Sequence, residues 1–339
     1  MAKKKASDAI QQGAGPGRVL AMVQMGLYED DCGVLDDAPP LPDLSRPAAA
    51  RPAQPVPDNV VRLPVWPDAV RGVPNLALRS ALFGVIRRGP RRAMMREVIP
   101  CTSDFEIRYT GFRLDQADLD VWETSLHLAR QHTMGNRVEI TERALLKVLG
   151  RVYSSGSREW LKNCAARLSA NTLEVTHQRF TYGGSLLQDF YRDDDTGRYV
   201  LILNPKMVVI FGMDTFTLVD WDIRQELIGQ PLAQWLHGFY ASHAKPFPVS
   251  VGKLHEWCGS EADSLKDWKN KDLKKSLELV KVASEKHGIA FKSEIKEDLV
   301  HVERQPSKSQ RKHLAGKAKK PERRNGMAPV GDILKPKQK

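Results

Sequence analysis

The stretch at 138–184, "VEITERALLKVLGRVYSSGSREWLKNCAARLSANTLEVTHQRFTYGG", constrains the fold more than any other, because its order returns further along the chain. It parses as short strand, helix, turn, helix, strand. Thr141 ahead of Leu145, Leu146 and Leu149 predicts an N-capped helix that closes at Gly150. "SSGS" is the break, with Ser157 as the cap of a second helix that buries Trp160, Leu161, Cys164, Ala165 and Leu168. The other side of that helix carries Arg158, Lys162, Asn163 and Arg167. "LEVTHQRFT" and "LLQDFYR", joined through "YGGS", read as a hairpin. "RYVLILN" is a further strand after the acidic turn Asp193–Thr196.

The second half repeats this order. "GQPLAQWLHGFYASH" predicts a helix with Leu232, Trp235, Leu236, Phe239 and Tyr240 inward, and "PFPVSV" a short strand. "KLHEWCG" is a brief helix ending at Gly259, and "SEADS" is the break. "LKDWKNKDLKKSLELVKVASEK" is a long helix with Leu265, Trp268, Leu273, Leu277 and Val280 on one stripe. "IAFKSEI" and "LVHVER", joined through "KED", close with a hairpin. Gly150 precedes Trp160 by ten positions and Gly259 precedes Trp268 by nine, so the tryptophans are expected to be counterparts. The reading is an α+β chain with two tandem winged-helix domains, 66–212 and 213–304, each a helix–turn–helix with a β-hairpin wing. Ahead of the first unit, "PNLALRSALFGVI" (Pro74–Ile86) has helical spacing and "EVIPCTSDFEIRYTG" reads as a hairpin turning at Thr102–Asp104. "DQADLDVWETSLHLARQ" follows as an amphipathic helix.

The 339 residues suit about two domains plus tails. Of the net charge of +11, nine units lie in the tail Gln305–Lys339, where eleven Lys/Arg face only Glu322 and Asp332. Such a tail is not expected to fold alone, and its charge suits sequence-independent attraction to nucleic acid. Residues 1–65, with the run "DDAPPLPDLSRPAAARPAQPVPD", read as a disordered arm and linker. No apolar run approaches the roughly 20 residues of a membrane span, and "MAKKKASDAIQQ" does not read as a secretory signal. Cys32, Cys101, Cys164 and Cys258 lie far apart, which argues for reduced thiols and a cytoplasmic protein.

Catalytic patterns are missing. There is no phosphate-cradling G-x-x-x-x-G-K-[ST], no H-E-x-x-H and no His-x-His. The run Asp193–Asp195 sits beside Thr196 and Gly197, where solvated turn carboxylates are the common case. Tyr153 beside Ser154 and Ser155 lacks an Arg/His constellation that would make it a nucleophile. The expectation is a protein with no catalytic residues, metal or cofactor. A DNA reading fares better: the second helix of each unit offers long donors to base edges and phosphates. In the first these are Arg158, Lys162, Asn163 and Arg167; in the second, Lys266, Lys269, Asn270, Lys271, Lys274 and Lys275. His177, Gln178, Arg179, Lys292 and Lys296 are the corresponding wing residues.

"WPDAVRGVPNLALRSALFG" (Trp66–Gly84), "FYASHAKPFPVSVGKLHEWCGS" (Phe239–Ser260), "DSLKDWK" (Asp263–Lys269) and "DLVHVER" (Asp298–Arg304) occur in this order, so that residues 66–304 resemble the TrfA replication initiators of broad-host-range IncP-type plasmids. The resemblance implies a plasmid replication initiator that binds directly repeated double-stranded sites, iterons, at an origin, helps open it and can contact one melted strand. It implies recruitment of the host replication initiator, replicative helicase and sliding clamp, and a monomer–dimer equilibrium with monomers active at the origin. By position it implies DNA contacts at Ser264, Lys266, Lys269 and Lys271. A winged-helix transcriptional regulator or autorepressor binding its operator as a dimer is the alternative, and a nicking enzyme a third. Members of the family can carry a glutamine-led clamp-binding peptide ahead of the W-P-D string; here that place reads "DNVVRLPV". "QMGLY" has the Q-x-x-L-aromatic pattern instead, with Gln24, Leu27 and Tyr28 as the clamp-docking residues.

Overall fold

The computed structural model describes residues 66–87, 89–102, 106–130, 137–177, 180–205, 216–308, 310–311 and 314–315. The arm, with Gln24, Leu27 and Tyr28, and most of the basic tail lie outside these residues. The chain enters the fold at Trp66, which is buried and donates its indole N–H to His127 Nδ1 at 3.0 Å. Burial and the nearby Arg71 and Arg130 guanidinium groups hold His127 neutral, its pKa down to about 4. β1 (Val70–Pro74) leads into α1 (Asn75–Leu78) and β2 (Phe83–Gly84).

The helix expected over Pro74–Ile86 is therefore only four residues long. Leu76, Ala77, Leu78, Ala81, Leu82 and Phe83 are all buried, so no polar face remains for a surface helix. Backbone pairing takes over instead: β2 runs parallel to Leu114–Asp115, and Val85 N donates to Cys258 O at 2.7 Å.

β3 (Ala93–Ile99) and β4 (Glu106–Phe112) form the expected hairpin, and β5 (Leu114–Asp115) delivers the chain to α2 (Gln116–Ala129). Asp115 caps α2 in a capping box with Asp118. β6 (Arg137–Thr141) and α3 (Glu142–Val148) follow, with Thr141 as the cap and Gly150 in the left-handed region at φ +67°. α4 spans Ser155–Ser169, and its cap is Ser154, not Ser157; Ser157 donates its backbone N–H to Ser154 Oγ at 3.2 Å. The serine pair thus works one turn earlier than the sequence suggests. Leu161, Cys164, Ala165 and Leu168 are buried, but Trp160 is only half-buried, its ring 3.6 Å from the Arg151 guanidinium.

The next strands pair differently from expectation. β7 (Thr172–His177) turns back on β8 (Phe180–Gly184), and both extend the first hairpin into a sheet of order β3-β4-β7-β8. β9 (Leu187–Asp193) pairs with β10 (Arg198–Leu203) across the acidic turn, in a sheet of order β6-β10-β9. Two turn signals compete here. The acidic turn is locked, because Asp193 accepts from Asp195 N, Thr196 N and Thr196 Oγ1, so "YGGS" serves as the crossing between sheets.

β11 (Phe216–Asp220) returns to β1, and α5 (Trp221–Glu226) leads to α6 (Pro231–Ala241). Every residue of α6 after Pro231 is buried, because it packs on α1, α2, β11 and the last long helix; a Cβ at Gly238 would lie 2.9 Å from Leu78 Cδ2. β12 (Val249–Ser250) and α7 (Val251–Trp257) precede the long helix. That helix comprises α8 (Leu265–Asp267), a π turn (Trp268–Leu273) and α9 (Lys274–Lys286). Trp268 and Leu273 are five positions apart, a spacing that about 3.6 residues per turn cannot keep on one face. The wider π turn brings both inward, in register with Leu277 and Val280. Leu265, expected on this stripe, is 40% exposed. β13 (Phe291–Lys296) and β14 (Leu299–Arg304) complete a sheet of order β12-β14-β13.

The internal repeat is visible in this topology. Setting aside β7 and β8, which the first copy carries between α4 and β9, α2-β6-α3-α4-β9-β10 and α6-β12-α7-(α8 to α9)-β13-β14 share one element order, and in both sheets the last strand lies between the other two. Buried apolar residues fall into two clusters, Trp66 to Trp221 and Ile223 to Val302.

Candidate nucleic-acid interface

The repeat aligns the two long helices by their cores. The first buried position in α4 is Leu161 and the first in the α8–α9 helix is Trp268, so Leu161 rather than Trp160 is the counterpart of Trp268. The residue after each is a lysine. Lys162 Nζ lies 3.6 Å from Asp194 in the β9–β10 turn, and Lys269 Nζ lies 3.1 Å from Asp298 in the β13–β14 turn. Lys269 also donates to Glu297 O, in a turn where Glu297 has φ +53°. In each unit, one lysine ties the helix to the tip of its hairpin and holds a cation between the two elements.

The other expected contacts divide. On α4, Asn163 is exposed and donates to Glu159 Oε1 at 3.3 Å. Arg158 donates to Glu142 Oε2 at 2.6 Å, and this bond holds its pKa above the ordinary value. Arg167 is different: it faces inward and grips Asp118 with Nε and Nη2 at distances of 2.8–3.3 Å. Asp118 is fully buried, so burial raises its pKa while Arg167 opposes the rise. Arg167 serves the core rather than the open face.

On the second helix, Ser264 caps the N-terminus by accepting from Asp267 N at 3.2 Å. Lys266, Asn270 and Lys274 form an exposed ladder: Asn270 Nδ2 donates to Lys266 O, and Lys274 Nζ to Asn270 Oδ1, both at 3.0 Å. Lys271 is exposed and pairs with Asp267 at 3.2 Å. Lys275 is exposed and lines a cleft with Val85, Arg87, Glu261 and Asp272. On the hairpin, Lys292 is exposed and Lys296 pairs with Glu294 at 3.0 Å. Gln178 and Arg179 lie outside the described residues.

Sequence reasoning missed the groups that fix one unit to the other. Arg113, from the first, binds Glu261 at 2.5 Å and donates to Gly259 O at 2.9 Å, in the turn between α7 and α8. Arg87 binds Asp263 at 3.0 Å nearby. Deeper, Arg224 of α5 is fully buried between α2 and α6. Its Nε lies 2.6 Å from Asp120 and 2.7 Å from Glu123, and its Nη2 donates to Gln116 O at 3.1 Å. The single Nε hydrogen is aimed at Asp120, so Glu123 has the charge beside it without a well-directed bond. Burial raises Glu123 to about 7, against the pull of Arg224. These partners stand about a hundred or more positions apart, beyond any local pattern.

Residues 57–304 match the model of the TrfA protein family. The chain belongs to the TrfA family. A curated TrfA relative, "Plasmid replication initiator protein TrfA" of Escherichia coli, is 30% identical over 250 residues, 70% of this chain and 63% of that protein. The match thus spans less than two thirds of that TrfA protein's own length. Among solved structures, domains 2 and 3 of RctB give a TM-score of 0.47 at 11% identity, covering 68% of this chain and 98% of that one. The Pi initiator protein, solved in complex with iteron DNA, gives 0.41 at 13% identity, covering 60% and 98%.

Proposed function

We propose that this TrfA-family chain is a plasmid replication initiator that binds iteron repeats at its origin, promotes opening and recruits host replication proteins. Each repeated unit acts as a winged helix: α4 and the α8–α9 helix enter successive major grooves, and the β9–β10 and β13–β14 hairpins are the wings. The observation that carries this reading is the duplicated element order with a lysine, Lys162 and Lys269, held between reading helix and hairpin in both copies. Phosphate contacts supply most of the affinity, which therefore falls steeply with salt. The exposed ladder Lys266–Asn270–Lys274 is the base-reading candidate of the second unit, and Asn163 that of the first. Binding energy offsets the distortion of the duplex.

The protein acts without an active site of its own, in the cytoplasm, and monomers in equilibrium with dimers are the origin-binding form. Among the described residues no helix is long and apolar enough to cross a membrane. The host initiator, the helicase, the sliding clamp and one strand of the melted region are its further partners. The test is a footprint of the protein on the origin of its own plasmid. Protection of tandem direct repeats is the expected result; a single protected inverted repeat beside a promoter would make the protein a regulator instead.

A further inference from the structure

A cavity of about 620 Å³ opens between β1, β11, the C-terminal half of α6 and the segment that follows β14. Its volume falls in the range of small-molecule sites. Val70, Leu218, Ile223, Ile289 and Phe291 give it apolar walls. Two polar side chains of α6 are among its lining residues. His237 and Tyr240 are 7% and 1% exposed, and neither His237 Nδ1 nor Tyr240 Oη has a hydrogen-bond partner among the described residues. Burial keeps His237 neutral, its pKa down to about 3.

The mouth is basic. Lys308 and Arg311 are exposed there, and Arg304 is half-buried. Among the described residues Arg304 donates to neutral acceptors, Tyr240 O, Ala241 O and Gln310 Oε1, and burial lowers its pKa. Among the described lining residues the carboxylate is Asp220, and its Oδ1 already caps α5 by accepting from Ile223 N at 3.1 Å. A half-buried guanidinium with no carboxylate partner is a site for an external anion.

We propose that this cavity binds a small organic anion, its charged group held by Arg304, Lys308 and Arg311 and its apolar body lying between Leu218, Ile223 and Phe291. The site lies on β1, β11 and α6, and Ser284 near the C-terminal end of α9 also lines it, ten positions beyond Lys274. Lys308 and Arg311 begin the basic tail, so an occupied site also fastens the start of that tail to the folded part.

The probe is 8-anilinonaphthalene-1-sulfonate, titrated by fluorescence into the full chain. One saturable site is expected, with decanoate displacing the dye if the natural ligand is a fatty carboxylate and ADP if it is a nucleotide. Lys308→Glu with Arg311→Glu should weaken the dye at least tenfold, while the same charge change at Lys335 and Lys337 should not. Leu218→Trp adds bulk from a position 37% exposed, so the fold tolerates it, and it should abolish binding. Absence of a saturable site, binding indifferent to Leu218→Trp, or dye released by neither competitor would each overturn the proposal.

Discussion

Replacing Arg224 with Met tests how the two units are held together. The guanidinium is fully buried between Asp120, Glu123 and the Gln116 carbonyl, and Met keeps most of its volume while removing the charge. Two buried carboxylates then lose their counter-ion. Breaking such a pair from one side costs about 3–5 kcal/mol. At about 2–4 °C per kcal/mol for a fold of this size, the melting temperature should fall by roughly 6–20 °C.

The loss should depend on pH. Glu123 has its folded pKa raised from 4.5 to about 7, so the folded state binds the extra proton between those values. The stability linked to this carboxyl is therefore fully present below pH 4.5 and lost as pH rises through 7. Arg224 lowers the Glu123 pKa, so removing it moves that window upward, and the variant should lose least near pH 5 and most near pH 8. Urea unfolding of wild type and Arg224→Met at both pH values measures this. A difference under about 1 kcal/mol at pH 8, or equal losses at the two pH values, would refute the role given to this ion cluster.

Arg167→Ala should destabilise the fold by about 3 kcal/mol by stripping Asp118 of its bidentate partner. Its iteron affinity per folded molecule should match wild type by gel shift; a specific loss of affinity would return Arg167 to the interface. Lys269→Ala with Lys271→Ala should weaken iteron binding and reduce the slope of log K against log salt by about 0.9 for each phosphate no longer neutralised. An unchanged slope would remove this helix from the DNA. Changing Gln24, Leu27 and Tyr28 to Ala should abolish pull-down of the host sliding clamp, and retained pull-down would end that assignment.

Much of the fold was legible because its signals are local. Gly150 and Gly259 end short helices at φ +67° and +63°, and caps such as Thr141 and Ser264 mark starts that a reader can find. The pattern failed where several local signals competed or where partners are distant. "YGGS" and "DDDTG" both look like hairpin turns, and only the side-chain lock at Asp193 decides between them. Trp160 is larger than Leu161 and drew the equation with Trp268, yet helix phase buries the leucine. The π turn hides in a five-residue interval that α-helical spacing reads as two faces. At the interface, residue type alone could not separate Arg167, paired with a carboxylate 49 positions earlier, from Asn163 on the open side. The sequence marks Lys162 but not its tie to Asp194, because an acidic turn has the pattern of plain solvent-facing charge.

The central claim is that two copies of one unit read DNA side by side. Hydroxyl-radical footprints of wild type, Lys162→Ala and Lys269→Ala on a single iteron test it most directly. Each variant should lose protection over a different half of the repeat and keep the other. Identical footprints for the two variants, or loss confined to one half in both, would contradict it.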